Sequence, residues 1–217
     1  MKQMHTLSEI ESYVRKAAQA TGLGWGLAEE AGKAARWLAA FDLPGVEIVL
    51  AHLQQLAGKD YRQFAPTDLG GVWRAQGDYL CPIITGAALA DRSYQMLTGT
   101  EFRLGPVACP ILLAAMIGQA ARYHRVTFTT SWSGVSISCY ENGISIEGKR
   151  GDLLVGETES VKCLQLENTR AQFLPSTMAG DVDSEAWQAI DKLAFKTYAP
   201  ATAESRAGAG AGLTDND

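Results

Sequence analysis

The chain has 217 residues, of which 47% are hydrophobic and 20% charged, with a formal net charge of −5. That is the balance of one folded globular domain, and an acidic chain lacks the broad cationic footprint that a phosphate backbone requires, which excludes nucleic acid as a partner. The longest apolar run, Val107 to Ile117, is too short to span a bilayer. The N-terminal segment has neither the apolar core nor the small-residue cleavage site of a signal peptide, so a cytoplasmic protein with no membrane partner is expected.

Residues 6 to about 57 read as helical. Thr6 and Glu9 form a T-x-x-E capping box, in which each side chain satisfies a backbone donor that the first turn leaves free. Leu7, Ile10, Val14 and Ala17 follow at helical spacing, and Gly22 to Gly24 stop the helix. A second helix is expected from Leu27 to Ala40, with Ala28, Ala31, Ala35 and Leu38 on one narrow face. Pro44 and Gly45 precede a third, from Val46 to Leu56. Residues 58–80 show no period and read as a long surface excursion. Two apolar helices, at about 82–97 and 110–123, each open on the tripeptide Cys-Pro-Ile, at Cys81 and Cys109.

The pattern then switches to period two. Val126 to Trp132, Gly134 to Tyr140 and Ile144 to Gly148 alternate and are rich in β-branched residues. Asn142-Gly143 marks a two-residue type I′ hairpin turn, which places Val135, Ile137 and Cys139 on one face with Ile144 and Ile146. Val161 to Glu167 is a further strand. A last helix starts near Asp183 and buries Trp187, Ile190, Leu193 and Ala194. These elements predict an α+β fold: a helical N-terminal half packed on an antiparallel sheet and closed by a C-terminal helix, a single domain over residues 1–200. From Ala201 the sequence ATAESRAGAGAGLTDND buries no apolar surface and is expected to form a flexible acidic tail, 201–217.

Four cysteines with no CxxC pair (Cys81, Cys109, Cys139, Cys163) read as free thiols in a reducing compartment. Proline suits the first helical position, which puts Cys81 and Cys109 at or beside N-caps. There the positive end of the helix dipole favours a thiolate, so both are candidate catalytic residues. Asp91 is a third catalytic candidate, and Arg92 a candidate ligand clamp, because the pair interrupts an apolar helix. Against these stand the strong burial preference of unpaired cysteine and the ordinary exposure of charged side chains. Glu29 and Lys33 form an i,i+4 surface pair. Arg122 to Arg125 reads as the cationic end of a helix. His5, His52 and His124 have no metal-ligand spacing, no metal site is expected, and no GxSxG or Walker motif identifies a reaction or a cofactor.

The stretches WGLAEEAGKAARWLAAFDLPG (Trp25 to Gly45), CPIITGAALADR (Cys81 to Arg92) and the terminal AGAGLTDND resemble an uncharacterised bacterial family, a domain of unknown function of about this length with a similar tail. The resemblance carries no activity, but implies that the tail matters. Leu7 to Ala39 is similar to the N-terminal helical pair of the non-Rossmann malate/lactate dehydrogenases; the pattern does not continue beyond Ala39, so neither their cofactor nor their catalytic histidine is carried over. Two readings follow. One is a small-molecule-binding protein or enzyme with its pocket at the Cys-Pro-Ile helix starts. The other is a non-catalytic accessory protein that binds a metabolic enzyme, or its own copy as a homo-oligomer, through Leu213, Asp215 and Asp217 in the tail.

Overall fold

The computed structural model describes residues 1–141, 143–166 and 174–198. A short strand that the sequence did not signal, β1 (Lys2–Thr6), leads into α1 (Leu7–Ala20). The capping box is formed: Glu9 N–H donates to Thr6 Oγ1 at 3.2 Å and Thr6 N–H donates to Glu9 Oε2 at 2.9 Å. Next come α2 (Trp25–Ala40), starting two residues earlier than the pattern suggested, and α3 (Gly45–Leu56). A glycine is needed at position 45 because the backbone of Ala35 on α2 lies where a side chain would stand.

The stretch 58–80 runs mostly exposed over the surface, as expected, but three side chains, Phe64, Trp73 and Leu80, anchor it in the core. A 3-10 turn, Tyr61–Phe64, buries Phe64, and β2 (Val72–Trp73) buries Trp73 to 1% exposure. The Trp73 indole N–H donates to Leu69 O at 3.0 Å. α4 (Pro82–Asp91) is shorter than expected, since the chain passes at Arg92 into a separate 3-10 turn, Ser93–Thr98. Two more strands missed by the sequence pattern, β3 (Phe102–Leu104) and β4 (Val107–Ala108), precede α5 (Ile111–His124). α5 ends on Arg122 and His124 in its last turn, as the charge pattern indicated.

β5 (Thr127–Trp132), β6 (Val135–Tyr140) and β7 (Gly143–Glu147) follow. Cys139 opposes Ile144 and Ile137 opposes Ile146. The turn lies one residue earlier than expected, because Tyr140 already pairs with Gly143. A turn centred on Asn142-Gly143 would have brought Glu141 into the ladder on the buried face of Ile137 and Cys139. In the observed turn Glu141 is exposed, with φ of 39°. The remaining elements are α6 (Arg150–Leu153), β8 (Glu157–Thr158), β9 (Val161–Leu166), β10 (Leu174–Pro175), β11 (Ala179–Asp183) and α7 (Ser184–Phe195). Asp183 caps α7 by accepting from the Glu185 and Ala186 amides.

The main sheet has strand order β10-β7-β6-β5-β9-β3-β2. It is antiparallel except at one edge, where β2 runs parallel to β3, so it is mixed rather than purely antiparallel. α5 covers β5 and β6, and a helical layer of α1, α2, α3 and α7 lies beyond it. α5 is buried nearly all round, which its Ala- and Gly-rich sequence permits. The closing helix α7 docks on α1 and α3, leaving Trp187 and Leu193 only partly buried, while Ile190 and Ala194 are sealed. β1 and β11 form a separate ribbon beside α2 and α3. Among the described residues no helix is long and apolar enough to cross a membrane.

Candidate functional site

The two Cys-Pro-Ile starts are not equivalent. Cys81 is the N-cap of α4, with extended backbone (φ −69°, ψ 120°) and Pro82 at the first helical position, as the sequence suggested. Cys109 has φ of 42° and precedes a second residue outside the helix, Pro110, so α5 begins only at Ile111. Its amide donates to Gly156 O at 2.8 Å, which ties it to the loop before β8.

Both thiols are sealed, at 0% and 5% exposure. Burial pushes Cys81 up to about 11, against a smaller downward pull from the Ile84 and Ile83 amides at the helix start. Burial likewise raises Cys109 to about 11. The expected activated thiolates are therefore corrected: at Cys81 the Ile84 and Ile83 amides favour the thiolate, but loss of water outweighs them. Cys139 and Cys163 are buried in the sheet and shifted upward for the same reason.

The structure adds a partner that the sequence concealed. His52 on α3 is fully buried, with its Nε2 3.2 Å from Cys81 Sγ. Burial lowers the imidazole pKa to about 4, the Gln55 side chain pulling the other way. With these shifts thiol and imidazole are both neutral near pH 7, and the imidazole tautomer decides which of them donates along the contact. His52 Nδ1 and the hydroxyl of Thr85, one turn after Cys81, are buried without partners. Twenty-nine residues separate Cys81 from His52, and no local spacing could have joined them.

Asp91 is exposed at the end of α4 and Arg92 half-buried at its C-cap. Neither makes an ion pair among the described residues, and neither joins the Cys81–His52 contact. Lys33 pairs with Glu30 at 2.7 Å rather than with the expected Glu29. Beside Asp91 and Arg92, Ser93 Oγ lies 2.9 Å from His124 Nε2 and 2.7 Å from Ala90 O. A hydroxyl that donates to the carbonyl accepts from the imidazole, and is then not activated as a nucleophile. Among the described residues, no group of three or more His, Cys, Asp or Glu side chains is placed to hold a metal ion. Leu213, Asp215 and Asp217 lie outside the described residues.

An accessible cleft lies elsewhere among the described residues. A cleft of about 760 Å³ opens where the start of α1, the second half of α2 and the end of α5 meet, with Glu141 and residues 176–178 on its rim. Its lining includes none of Cys81, Cys109, Asp91 or Arg92. Trp37 forms one wall. Its ring meets Phe41 edge-on at 4.8 Å and packs against Gly118, where an added Cβ would fall 2.5 Å from the indole. The rim is pinned to α2 by Thr177, whose amide donates to Ala40 O at 2.7 Å.

Three cations line this cleft, Lys33, Arg36 and Arg122, against two carboxylates, Glu11 and Glu141. Lys33 is held by Glu30 and Arg36 by Glu11, each at 2.7 Å. Arg122 has no ion-pair partner among the described residues, nor has Glu141. Gln119 Nε2 is shielded from water without an acceptor. The Trp37 indole N–H also donates to nothing among the described residues. Sequence reading passed over Gln119 and took Arg122 for a helix-end charge. The available signal was a polar pair at i,i+3 closing an otherwise apolar helix.

Residues 5–78, the first third of the chain, match the model of a family described as "Protein of unknown function (DUF3726)". No curated protein matches. Among solved structures the chain is similar to malate dehydrogenase from Entamoeba histolytica, with 7% identity and a TM-score of 0.43 over 79% of this chain and 51% of that one. The chain thus spans about half the length of that enzyme, and its N-terminal third is what resembles a family of unknown function.

Proposed function

We propose that this protein binds a small molecule in the cleft between α1, α2 and α5. The observation that carries this reading is one concave surface walled by the Trp37 ring, with the exposed Arg122 guanidinium on its lining and no ion-pair partner for it among the described residues. The Gln119 nitrogen is sealed without an acceptor where it stands, and turning its amide end for end brings that donor to the cleft. The volume of 760 Å³ lies within the roughly 300–1,000 Å³ of ligand sites, and an aromatic wall beside a few polar groups is the usual composition of such sites. The pocket therefore moves from the Cys-Pro-Ile starts to the Trp37 cleft, whose lining includes neither thiol nor imidazole. Cytosolic residence belongs to the same reading, supported by four unpaired thiols.

The test is an NMR titration of the full chain with benzoate, benzamide and benzylamine, reading the Trp37 indole N–H and the Gln119 side-chain amide. We expect saturable shifts of both signals with at least one probe. Three flat titrations at these two signals would remove the reading.

A further inference from the structure

We infer that the ligand of this cleft presents an oxyanion, a carboxylate or a phosphate, to Arg122 and Gln119 at the end of α5; the inference rests on the cleft being a small-molecule site. Charge pairing within the cleft leads to it. Lys33 and Arg36 already have carboxylates at 2.7 Å, so their charges are answered inside the protein. Arg122 lines the same cleft with no such partner among the described residues, and its planar fork of donors matches two oxygens at once.

Gln119 stands three residues before Arg122, so the two side chains leave α5 on one face. Its nitrogen is sealed without an acceptor, while its amide oxygen is neither sealed nor bonded among the described residues. Turning the amide end for end loses no hydrogen bond, because the nitrogen makes none where it is. The turn delivers an N–H₂ donor to the cleft beside Arg122. The Trp37 N–H is a third donor along the same wall. An acceptor-only group of concentrated negative charge answers all three; a neutral amide or an ammonium group does not.

Glu141 sets the orientation. It is exposed on the cleft rim, unpaired among the described residues, and repels an anion from the side of the β6–β7 turn. The oxyanion therefore sits on the α5 side, and the remainder of the ligand extends along Trp37 toward α1.

The experiment adds inorganic phosphate to the three aromatic probes and repeats each titration on Arg122→Gln. In the natural chain we expect benzoate, phosphate or both to shift the Gln119 and Trp37 signals with affinity at least tenfold above benzamide. In Arg122→Gln that preference falls to within twofold, with benzamide unchanged. Benzoate alone identifies a carboxylate ligand, and phosphate alone a phosphate. Benzamide or benzylamine binding in the cleft as tightly as benzoate and phosphate overturns the oxyanion while leaving the cleft a site. Anions that shift the cleft signals equally in Arg122→Gln overturn the assignment to Arg122. No response at the cleft to any probe overturns both this inference and the reading on which it rests.

Discussion

Among the described residues, the start of α4 and the end of α5 both gather groups capable of chemistry, and they lie on opposite sides of the water boundary. At the start of α4, Cys81 and His52 touch at 3.2 Å, both fully buried. At the end of α5, Trp37, Gln119 and Arg122 line an open cleft. The first place has the residue types usually associated with catalysis, yet burial has moved thiol and imidazole away from each other's range, to about 11 and about 4, so neither is charged near neutrality. The second has ordinary residue types, but its Arg122 guanidinium is open to solvent and without an ion-pair partner among the described residues. A reactive side chain signals function only where water or a ligand can reach it. Otherwise its environment converts it into a core residue with a hydrogen bond.

The largest effect expected from this contrast is acid sensitivity at the buried centre. The pKa of His52 falls from 6.5 in the unfolded chain to about 4 in the folded one. Between those values the unfolded chain binds a proton that the folded chain refuses. Stability from this group is therefore complete above pH 6.5 and is lost as pH falls toward 4, by about 3 kcal/mol. Urea unfolding across this range should show the loss in the natural chain and a flatter profile in His52→Leu. Equal slopes in the two would mean that His52 reaches solvent, and the contrast between the centres would fail.

The second effect tests the open side. Gly118→Ala places a methyl group 2.5 Å from the Trp37 indole, and overpacking of this kind costs about 1–3 kcal/mol. A loss of about 2 kcal/mol in urea unfolding is expected if the cleft wall is rigid. A change below about 0.5 kcal/mol would show that Trp37 swings away freely and that the cleft has no fixed shape.

What the sequence made legible was local. The Thr6–Glu9 box, the Asp183 cap and the alternation of Val135, Ile137 and Cys139 against Ile144 and Ile146 each depend on residues close in the chain, and each is formed. The two-residue strands Val72–Trp73 and Val107–Ala108 were invisible because partners far along the chain, Arg103–Leu104 and Glu157–Thr158, create them. The same holds for both centres. His52 looked like an isolated polar residue on an apolar helix, and the Trp37 wall exists only because Gly118, eighty-one residues away, leaves room for a ring. Cys81 was placed correctly at an N-cap, but the pattern gives the position of a helix start and not its depth, and depth decided the chemistry.

The smallest expected effect sharpens the comparison most. Arg122 is exposed and has no ion-pair partner among the described residues, so Arg122→Gln should change unfolding free energy by no more than about 0.5 kcal/mol. Cys81→Ala, by contrast, leaves the buried His52 Nε2 without its neighbour and should cost about 1–3 kcal/mol. Residues kept for the fold are detected by stability, whereas a residue kept for a ligand is silent until the ligand is present. If Arg122→Gln proved as damaging as Cys81→Ala, the guanidinium would have a structural partner, and its freedom to receive an anion would be gone. If it is silent in urea and also removes the preference for benzoate or phosphate, the two measurements together separate a binding residue from a packing one.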